Sequence, residues 1–253
     1  MPETVRLTGK DGRVAVATTE AAGAGGFIAR EAALHLEELT GLPHEPPRRV
    51  SSADEARAAA LLLQVDPALG REVFDCAEKD GRVRIRGGDA RGMYYGLMAF
   101  FESLGFRWYA PGEDGTVTPR PDVVAVPQGW RARGRPALPW RGLHICGTGQ
   151  TREGRHMPHF DHDTALWMVR NRMNFKPIHN EQYDEVFPLL NDLMLTPLAF
   201  GHSYSRWIPR AEFAAHPEYF ALVAGRRLAE GQLCVSNPAL QDELVRRIVA
   251  YAD

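Results

Sequence analysis

Between Phe74 and Gly105 the chain spells out one supersecondary unit. Phe74–Ala77 and Arg82–Arg86 are strand-forming runs that flank Lys79-Asp80-Gly81, and an Asp-Gly pair between two such runs is a hairpin signal. Asp89 then stands where a helix takes its N-cap. Met93, Leu97, Phe100, Phe101 and Leu104 recur at helical spacing until Gly105 ends the pattern, and Phe106–Ala110 reads as a short strand. A hairpin, a helix laid back across it and a further strand require an α/β layer. The residues before it extend that layer. Arg13–Thr18 alternates into a strand, Phe27–Leu39 places Ile28, Ala32, Leu36 and Leu39 on one helical face with Gly41 as C-terminal cap, and Leu61–Val65 reads as a buried strand. Gly23-Ala24-Gly25-Gly26 lacks the third glycine of a dinucleotide fingerprint, Ile28 standing in its place, and reads as a flexible connection.

Six prolines and four glycines between Pro111 and Pro139 mark a boundary segment. The expected division is a small α/β domain over 1–125, a linker over 126–138 and a second domain over 139–253. In that second part Trp140–Cys146, Phe175–Ile178, Thr196–Phe200 and Gln232–Val235 are short and strand-like. Helical patterns cover Thr164–Met173 after a cap at Asp163, and Tyr183–Met194, bent at Pro188. A last helix starts at Asn237 as cap and Pro238 as first residue, with Leu240, Leu244 and Ile248 along one face. Four such strands interleaved with helices predict a parallel β/α array, which keeps its chemistry at the carboxyl ends of its strands. Those ends carry His144, then His179 and Asn180, then Gly201-His202-Ser203, then Ser236-Asn237. Tyr204 and Trp207 follow the third end and offer aromatic faces to a sugar ring. The candidate substrate-binding residues are therefore His202, His144, His179, Asn180, Asn237, Tyr204 and Trp207.

Composition narrows the classes. At 44% hydrophobic and 25% charged the chain is in the globular range, which excludes disorder, collagen and coiled coil. Its longest apolar runs, such as Ala58–Leu63 and Leu97–Phe101, fall far short of the roughly 20 residues that cross a bilayer, so no membrane partner is expected. A formal charge of −2 gives no electrostatic reason to expect nucleic acid. Met1-Pro2-Glu3-Thr4-Val5-Arg6 lacks the features of a secretory signal, and the cytoplasm is the default location. Cys76, Cys146 and Cys234 contain no C-x-x-C pair and read as buried small residues. No cofactor is expected, since Gly147-x-Gly149 has Arg152 where a third glycine belongs. His156, His159 and His162, with Asp161 and Asp163, are metal-ligating types at a spacing that matches no known signature, and read as a solvated polar loop rather than a metal site. Gly201-His202-Ser203-Tyr204-Ser205 nearly spells a G-x-S-x-G nucleophile elbow, but Ser205 replaces the last glycine and Trp207-Ile208-Pro209 follows where a helix should start.

The run Gly81-Arg82-Val83-Arg84-Ile85-Arg86-Gly87-Gly88-Asp89-Ala90-Arg91-Gly92-Met93-Tyr94-Tyr95-Gly96, with Phe100-Phe101-Glu102-x-Leu104-Gly105-Phe106-Arg107-Trp108-Tyr109-Ala110-Pro111-Gly112, resembles the small α/β domain that precedes the catalytic barrel in β-hexosaminidase-like and α-glucuronidase-like glycoside hydrolases. Trp167-x-x-Arg170-Asn171-Arg172-Met173-Asn174, Gly201-His202-Ser203, His216-Pro217-Glu218-Tyr219-Phe220 and Gln232-Leu233-Cys234-x-x-Asn237-Pro238 are similar to the opening of the barrel in a bacterial group related to these enzymes. The resemblance implies an α/β protein: an N-terminal α+β sandwich of hexosaminidase domain-2 type followed by a (β/α)8 TIM barrel with a carbohydrate-binding mouth. Residues 139–253 hold about four β/α units, about half of the ~250 residues a full barrel takes. The expectation is a truncated chain or half of an oligomeric assembly, the open sheet being covered from outside. His202 falls where hexosaminidases carry the histidine of a Pro-Gly-His motif, with Phe200 in place of the proline. Where their Asp-Glu pair follows the fourth strand, this chain reads Val235-Ser236-Asn237-Pro238. Glycoside hydrolysis needs two placed carboxylates. Asp161, Asp163, Glu181 and Asp184 lie near strand ends but read as caps or solvated groups, so the catalytic acids are unassigned and expected beyond residue 253. Two functions stay open: a glycoside-hydrolase-like protein cleaving O-glycosyl bonds, and a noncatalytic carbohydrate-binding or interaction module using His202, Tyr204 and Trp207.

Overall fold

The computed structural model describes residues 3–19, 24–143, 162–179, 183–200 and 204–252. They form two compact units, Met1–Pro177 with Asp184–Leu198, and Ile178–Tyr183 with Ala199–Asp253.

The first unit begins with β1 (Thr4–Arg6), β2 (Val16–Thr18), α1 (Ala24–Thr40), β3 (Arg48–Arg49), α2 (Ala53–Arg57) and β4 (Leu61–Val65). Gly25 and Gly26 are inside α1 rather than in a flexible connection, because the helix's buried face, starting at Phe27 and Ile28, carries the turn ahead of it; Gly23 lies outside the described residues. The hairpin of β5 (Phe74–Lys79) and β6 (Arg82–Gly87) follows, then α3 (Ala90–Ser103), β7 (Arg107–Trp108), β8 (Thr116–Val117), β9 (Ala125–Pro127) and β10 (Arg131–Gly134). Asp80 and Gly81 both have positive φ, 54° and 80°, as a type I′ hairpin turn requires. Six strands form a mixed sheet in the order β10-β5-β6-β4-β2-β3. β3, β2, β4 and β6 run parallel, and β5 joins β6 and the edge strand β10 through antiparallel pairings on both sides. Residues 131–134, in the stretch read from its prolines and glycines as a linker, are thus the outermost strand of this sheet. β1 pairs with β9, and β7 with β8.

Alternation sorts the sheet's two faces. Leu61, Leu63, Val83, Ile85 and Cys76 are all at or below 1% exposure, and α3 lies across β4, β5, β6 and β10 and against α1. Every residue of α3 from Gly92 to Phe101 is buried. Each large apolar side chain buried this way contributes about 1.5–3 kcal/mol before entropy is deducted. Close approach explains the glycines at the entry of α3. A Cβ on Gly88 would stand 1.6 Å from the Gly70 carbonyl oxygen, and one on Gly92 2.4 Å from that of Val73. Asp89 caps the helix, its carboxylate accepting from the Gly92 N–H at 2.7 Å.

α4 (His162–Arg170), most of β11 (Phe175–His179), nearly all of α5 (Tyr183–Asp192) and the start of β12 (Thr196–Phe200) belong to this same unit. Pro188 is inside α5 as expected. Residues 140–143, expected to open a strand, are irregular: their backbone bonds go to the turn before β11, where the N–H groups of Asn174 and Phe175 both donate to the Arg141 carbonyl. Residues 144–146 of that expected strand are outside the described residues.

The second unit contains α6 (Tyr204–Trp207), a hairpin of β13 (Leu222–Val223) and β14 (Arg226–Arg227), and α7 (Pro238–Ala252). Ile208, Tyr219, Phe220, Leu233, Leu240 and Leu244 form its core. Gln232–Val235 is not a strand. Only a single bridge joins Leu233 to Phe220, because Phe220 and Tyr219 meet this segment from a turn. Leu240 and Leu244 are buried, but Ile248 is 43% exposed, so the buried face of α7 ends one turn earlier than its pattern suggested. Cys76 is fully buried, and burial pushes its thiol up to about 12. Cys234 is only half-buried, lying beside Ser236 in a turn.

Candidate functional site

Strongly perturbed ionisable groups often mark active sites, and two buried carboxylates stand out. Glu31 on α1 accepts from Arg170 Nε and Nη2, both at 2.9 Å, and from the Tyr94 hydroxyl at 2.9 Å. Burial pushes its carboxyl up, but the bonds and charges of Arg170 with the neighbouring His35 outweigh that and hold it below the usual carboxylate range. Glu72, only 3% exposed, has a φ of +57°. Its oxygens accept from Arg141 Nη2 at 2.6 Å, Arg91 Nη1 at 3.3 Å and Asn174 Nδ2 at 2.9 and 3.1 Å. Here too burial raises the carboxyl, and the Asn174 and Arg141 bonds with the Arg141 and Arg91 charges bring it below its ordinary value. Both carboxylates are ionised and already occupied by guanidinium groups. They have no proton to give and their oxygens are engaged by neighbouring side chains, so their work is to hold segments together.

What they hold is legible residue by residue. Trp167 Nε1–H and Asn171 Nδ2–H both donate to the Trp108 carbonyl, at 3.1 and 3.0 Å. Arg172 pairs with Glu102 through two bonds. Arg91 reaches the Met194 carbonyl at 2.8 Å and Thr196 Oγ1 at 2.6 Å. The motif Trp167-x-x-Arg170-Asn171-Arg172-x-Asn174 is therefore a set of anchors that fixes α4 and the start of β11 onto the six-stranded layer. Sequence reasoning found the motif but not its partners, because Glu31, Glu72 and Glu102 lie between 70 and 139 positions away from it.

The candidates from the strand ends are distributed unevenly. His144, Asn180 and His202 lie outside the described residues, and only the backbone of His179 is described, closing β11. The starts of β11 and β12 sit side by side, Thr196 N–H donating to the Asn174 carbonyl at 2.9 Å, so His179 and Phe200 end neighbouring strands. The other three candidates are in the second unit. Asn237 caps α7, its Oδ1 accepting from Ala239 N–H at 2.9 Å and Leu240 N–H at 3.3 Å while its Nδ2 donates to the Glu218 carbonyl. Trp207 packs on the unit's core and meets Tyr251 edge to face at 5.3 Å, and the Arg206 guanidinium lies over both rings. Tyr204, one turn earlier on α6, is 44% exposed.

A cleft of about 580 Å³ in the first unit was not anticipated. Trp108, Trp167, Glu38, Glu113, Asp163 and Arg170 are among its lining residues. Burial pushes the Glu38 carboxyl up; Arg170 opposes this and the carboxylates of Glu31, Glu113 and Glu37 add to it. Indole surface beside carboxylates and the Thr116 and Thr118 hydroxyls suits a polyhydroxylated ring. Of this set Trp108, Trp167 and Arg170 stood out in the sequence only as parts of motifs, and Asp163 as a cap although it is in the first turn of α4, because the residues come together from α1, the β7–β8 region and α4. Among the described residues no group of three or more His, Cys, Asp and Glu side chains is arranged to hold a metal ion, and no helix is long and apolar enough to cross a membrane.

No curated protein matches the chain. Solved structures do. β-N-acetylhexosaminidase from Bacteroides fragilis is similar at 13% identity and a TM-score of 0.55, over 99% of this chain and 52% of that one. A mutant Streptomyces plicatus β-hexosaminidase in complex with product GlcNAc is similar at 13% identity and a TM-score of 0.58, over 99% and 54%. The GH20 β-N-acetylhexosaminidase from Streptomyces coelicolor is similar at 14% identity and a TM-score of 0.55, over 95% and 53%. The chain thus spans about half the length of these structures and shares a glycoside-hydrolase-like, mixed α/β fold with them. Residues 109–253 match the family model described as Domain of unknown function (DUF4838). That match covers more than half of the sequence, and the chain belongs to this family.

Proposed function

We propose that this chain is part of a glycoside-hydrolase-like protein that binds carbohydrate, with O-glycosyl hydrolysis as the activity of the whole protein. The observation that carries this reading is the likeness of fold to β-hexosaminidases along 99% of the chain, combined with a strand–helix–strand unit whose paired strands end at His179 and Phe200. In this reading β11 and β12 are early strands of a (β/α)8 barrel, and His144, His179, Asn180 and His202 line its mouth and bond sugar hydroxyls. The buried Glu31–Arg170 and Glu72–Arg141 pairs fix α4 and Arg141 to the six-stranded layer. Binding of a panel of neutral mono- and disaccharides, measured by calorimetry alongside turnover of aryl glycosides, tests it. Saccharide binding that H202A abolishes is expected, and no binding across the panel would refute it.

A noncatalytic carbohydrate-binding module is the second reading. The exposed ring of Tyr204 beside Trp207 favours it. Saccharide binding without turnover, lost in both Y204A and W207A, would select it.

A further inference from the structure

The solvent face of the six-stranded sheet carries a cationic surface only partly offset by acidic neighbours. Arg82-Val83-Arg84-Ile85-Arg86 alternates so that Val83 and Ile85 enter the core while the three arginines point away from it. Arg131 and Arg133 alternate the same way on β10. Register brings these rows together. Ala77 of β5 stands between Arg131 and Arg84, and Asp75 between Arg133 and Arg86. Neighbouring strands are about 4.8 Å apart and alternate residues along a strand about 7 Å, so the guanidinium groups cover an area of roughly two strand spacings by two residue steps. Arg86 is neutralised by Asp75 and Asp66. Arg82, Arg84, Arg131 and Arg133 have no ion pair among the described residues. A cleft of about 380 Å³ opens on this face, lined by Leu62, Ala77, Arg57, Lys79, Arg82 and Arg84, with Asp80 as its one carboxylate.

Charged residues on edge strands keep sheets from pairing with one another, which accounts for Arg131 and Arg133 on β10. It does not account for Arg84, whose strand is bonded on both sides. Clustered cations of one sign repel, and the chain as a whole is at −2, so a local cationic surface of this kind implies an anionic occupant. We propose that this face binds an anionic polysaccharide bearing carboxylates, a polyuronate. The choice of a sugar polymer rests on the carbohydrate reading above; the choice of carboxylate comes from the face itself. Arg86 already binds two carboxylates there, in the planar geometry guanidinium groups favour. The cations are spread in rows rather than converged on one point, which fits repeated charges. Leu62 and Ala77 offer apolar contact to a sugar ring, and no aromatic residue borders the cleft to stack a nucleobase.

Native gel electrophoresis of the chain through polygalacturonate, neutral dextran, dextran sulfate and double-stranded DNA tests the assignment. Polygalacturonate is expected to retard the chain at low ionic strength, dextran not at all, and added salt to reverse the retardation. R84E/R131E/R133E is expected to bind polygalacturonate at least about tenfold more weakly, since bonds to charged partners are lost at three places. Its melting temperature should hold, because all three side chains are exposed. R210E/R226E, reversing charges in the other unit, should bind as the wild type does. Absence of retardation by polygalacturonate, equal weakening in both variants, or stronger binding of dextran sulfate or DNA overturns the assignment. The two readings fail separately. Neutral-saccharide binding should be unchanged in R84E/R131E/R133E, and its absence from the wild type would sink the strand-end reading without touching the polygalacturonate result.

Discussion

His35 should make folding stability fall as pH drops below 6.5, against the opposite and separate contribution of the raised Glu38 carboxyl. It is 1% exposed, stacked on Phe101 at 4.8 Å and flanked edge-on by Phe106 and Trp108. Its Nδ1 bonds the Glu31 carbonyl at 2.7 Å, which requires the neutral ring to carry its proton on Nδ1 and leaves Nε2 as the site that would protonate. Burial pushes its pKa down from 6.5 to about 4; the Glu31 carboxylate opposes that push and Arg170 adds to it. The unfolded chain therefore takes up a proton below pH 6.5 that the folded chain refuses, and stability falls as pH falls. From those two pKa values the loss reaches ~2.5 kcal/mol by pH 4.5. Glu31 and Glu72 are held below their ordinary range, so their contributions are present above pH 4.5 and disappear only below it. The test is urea unfolding of the wild type and H35F at half-unit steps from pH 7.5 to 4.5. H35F will differ in absolute stability, having lost the bond to Glu31, but only the difference in pH dependence matters. The wild type should lose ~2.5 kcal/mol more than H35F across the range. Parallel pH profiles would show that the ring is protonated in the fold, and would refute the neutral, buried assignment.

Glu72→Ala should destabilise the first unit by about 3–5 kcal/mol, because it leaves the Arg91 and Arg141 cations facing one another without their shared carboxylate. Glu72→Gln, which keeps an acceptor for Asn174, should lose measurably less in the same urea titration, and equal losses would argue against the charge as the cause. Asn237→Ala should cost about 1 kcal/mol through the lost cap of α7, with Asn237→Asp close to wild type. If Asn237→Ala instead abolishes saccharide binding while stability is unchanged, Asn237 is a contact to sugar and not only a cap.

The small domain was legible in its local grammar. Asp80-Gly81, the Asp89 cap, and the 3.6-residue spacing from Met93 to Leu104 are short-range patterns whose physical causes lie within one turn or one strand. Gly88 and Gly92 were visible as glycines, but their reason, a carbonyl oxygen of another segment within 2.4 Å of where a Cβ would stand, was not. Prolines and glycines between 111 and 139 suggested a linker, yet residues 131–134 bond to β5, because an open sheet edge accepts a strand whatever punctuates its ends. Gln232–Val235 had strand composition and no neighbour to pair with beyond one bridge. The strand-end candidates show the same divide. Asn237 was read both as a cap and as a sugar ligand, and the described geometry accounts for its carboxamide through the cap. Trp108 and Trp167 drew no notice as lining residues, since the cleft they share exists only once α1, the β7–β8 region and α4 are assembled.

By itself the sequence determined most elements of the small domain: its hairpin, the start of α3, the inward faces of α1 and α3, and that a mixed α/β layer results. Those choices depend on residues within a few positions of each other, where side-chain period, caps and turn dihedrals act directly. Only the tertiary structure decided the partners of Arg91, Arg141, Arg170 and Arg172, the depressed pKa of His35, and the gathering of Arg84, Arg131 and Arg133 on one face. Each depends on distance through space between residues far apart in the chain. Burial and Coulomb interactions follow that distance, and no local pattern encodes it.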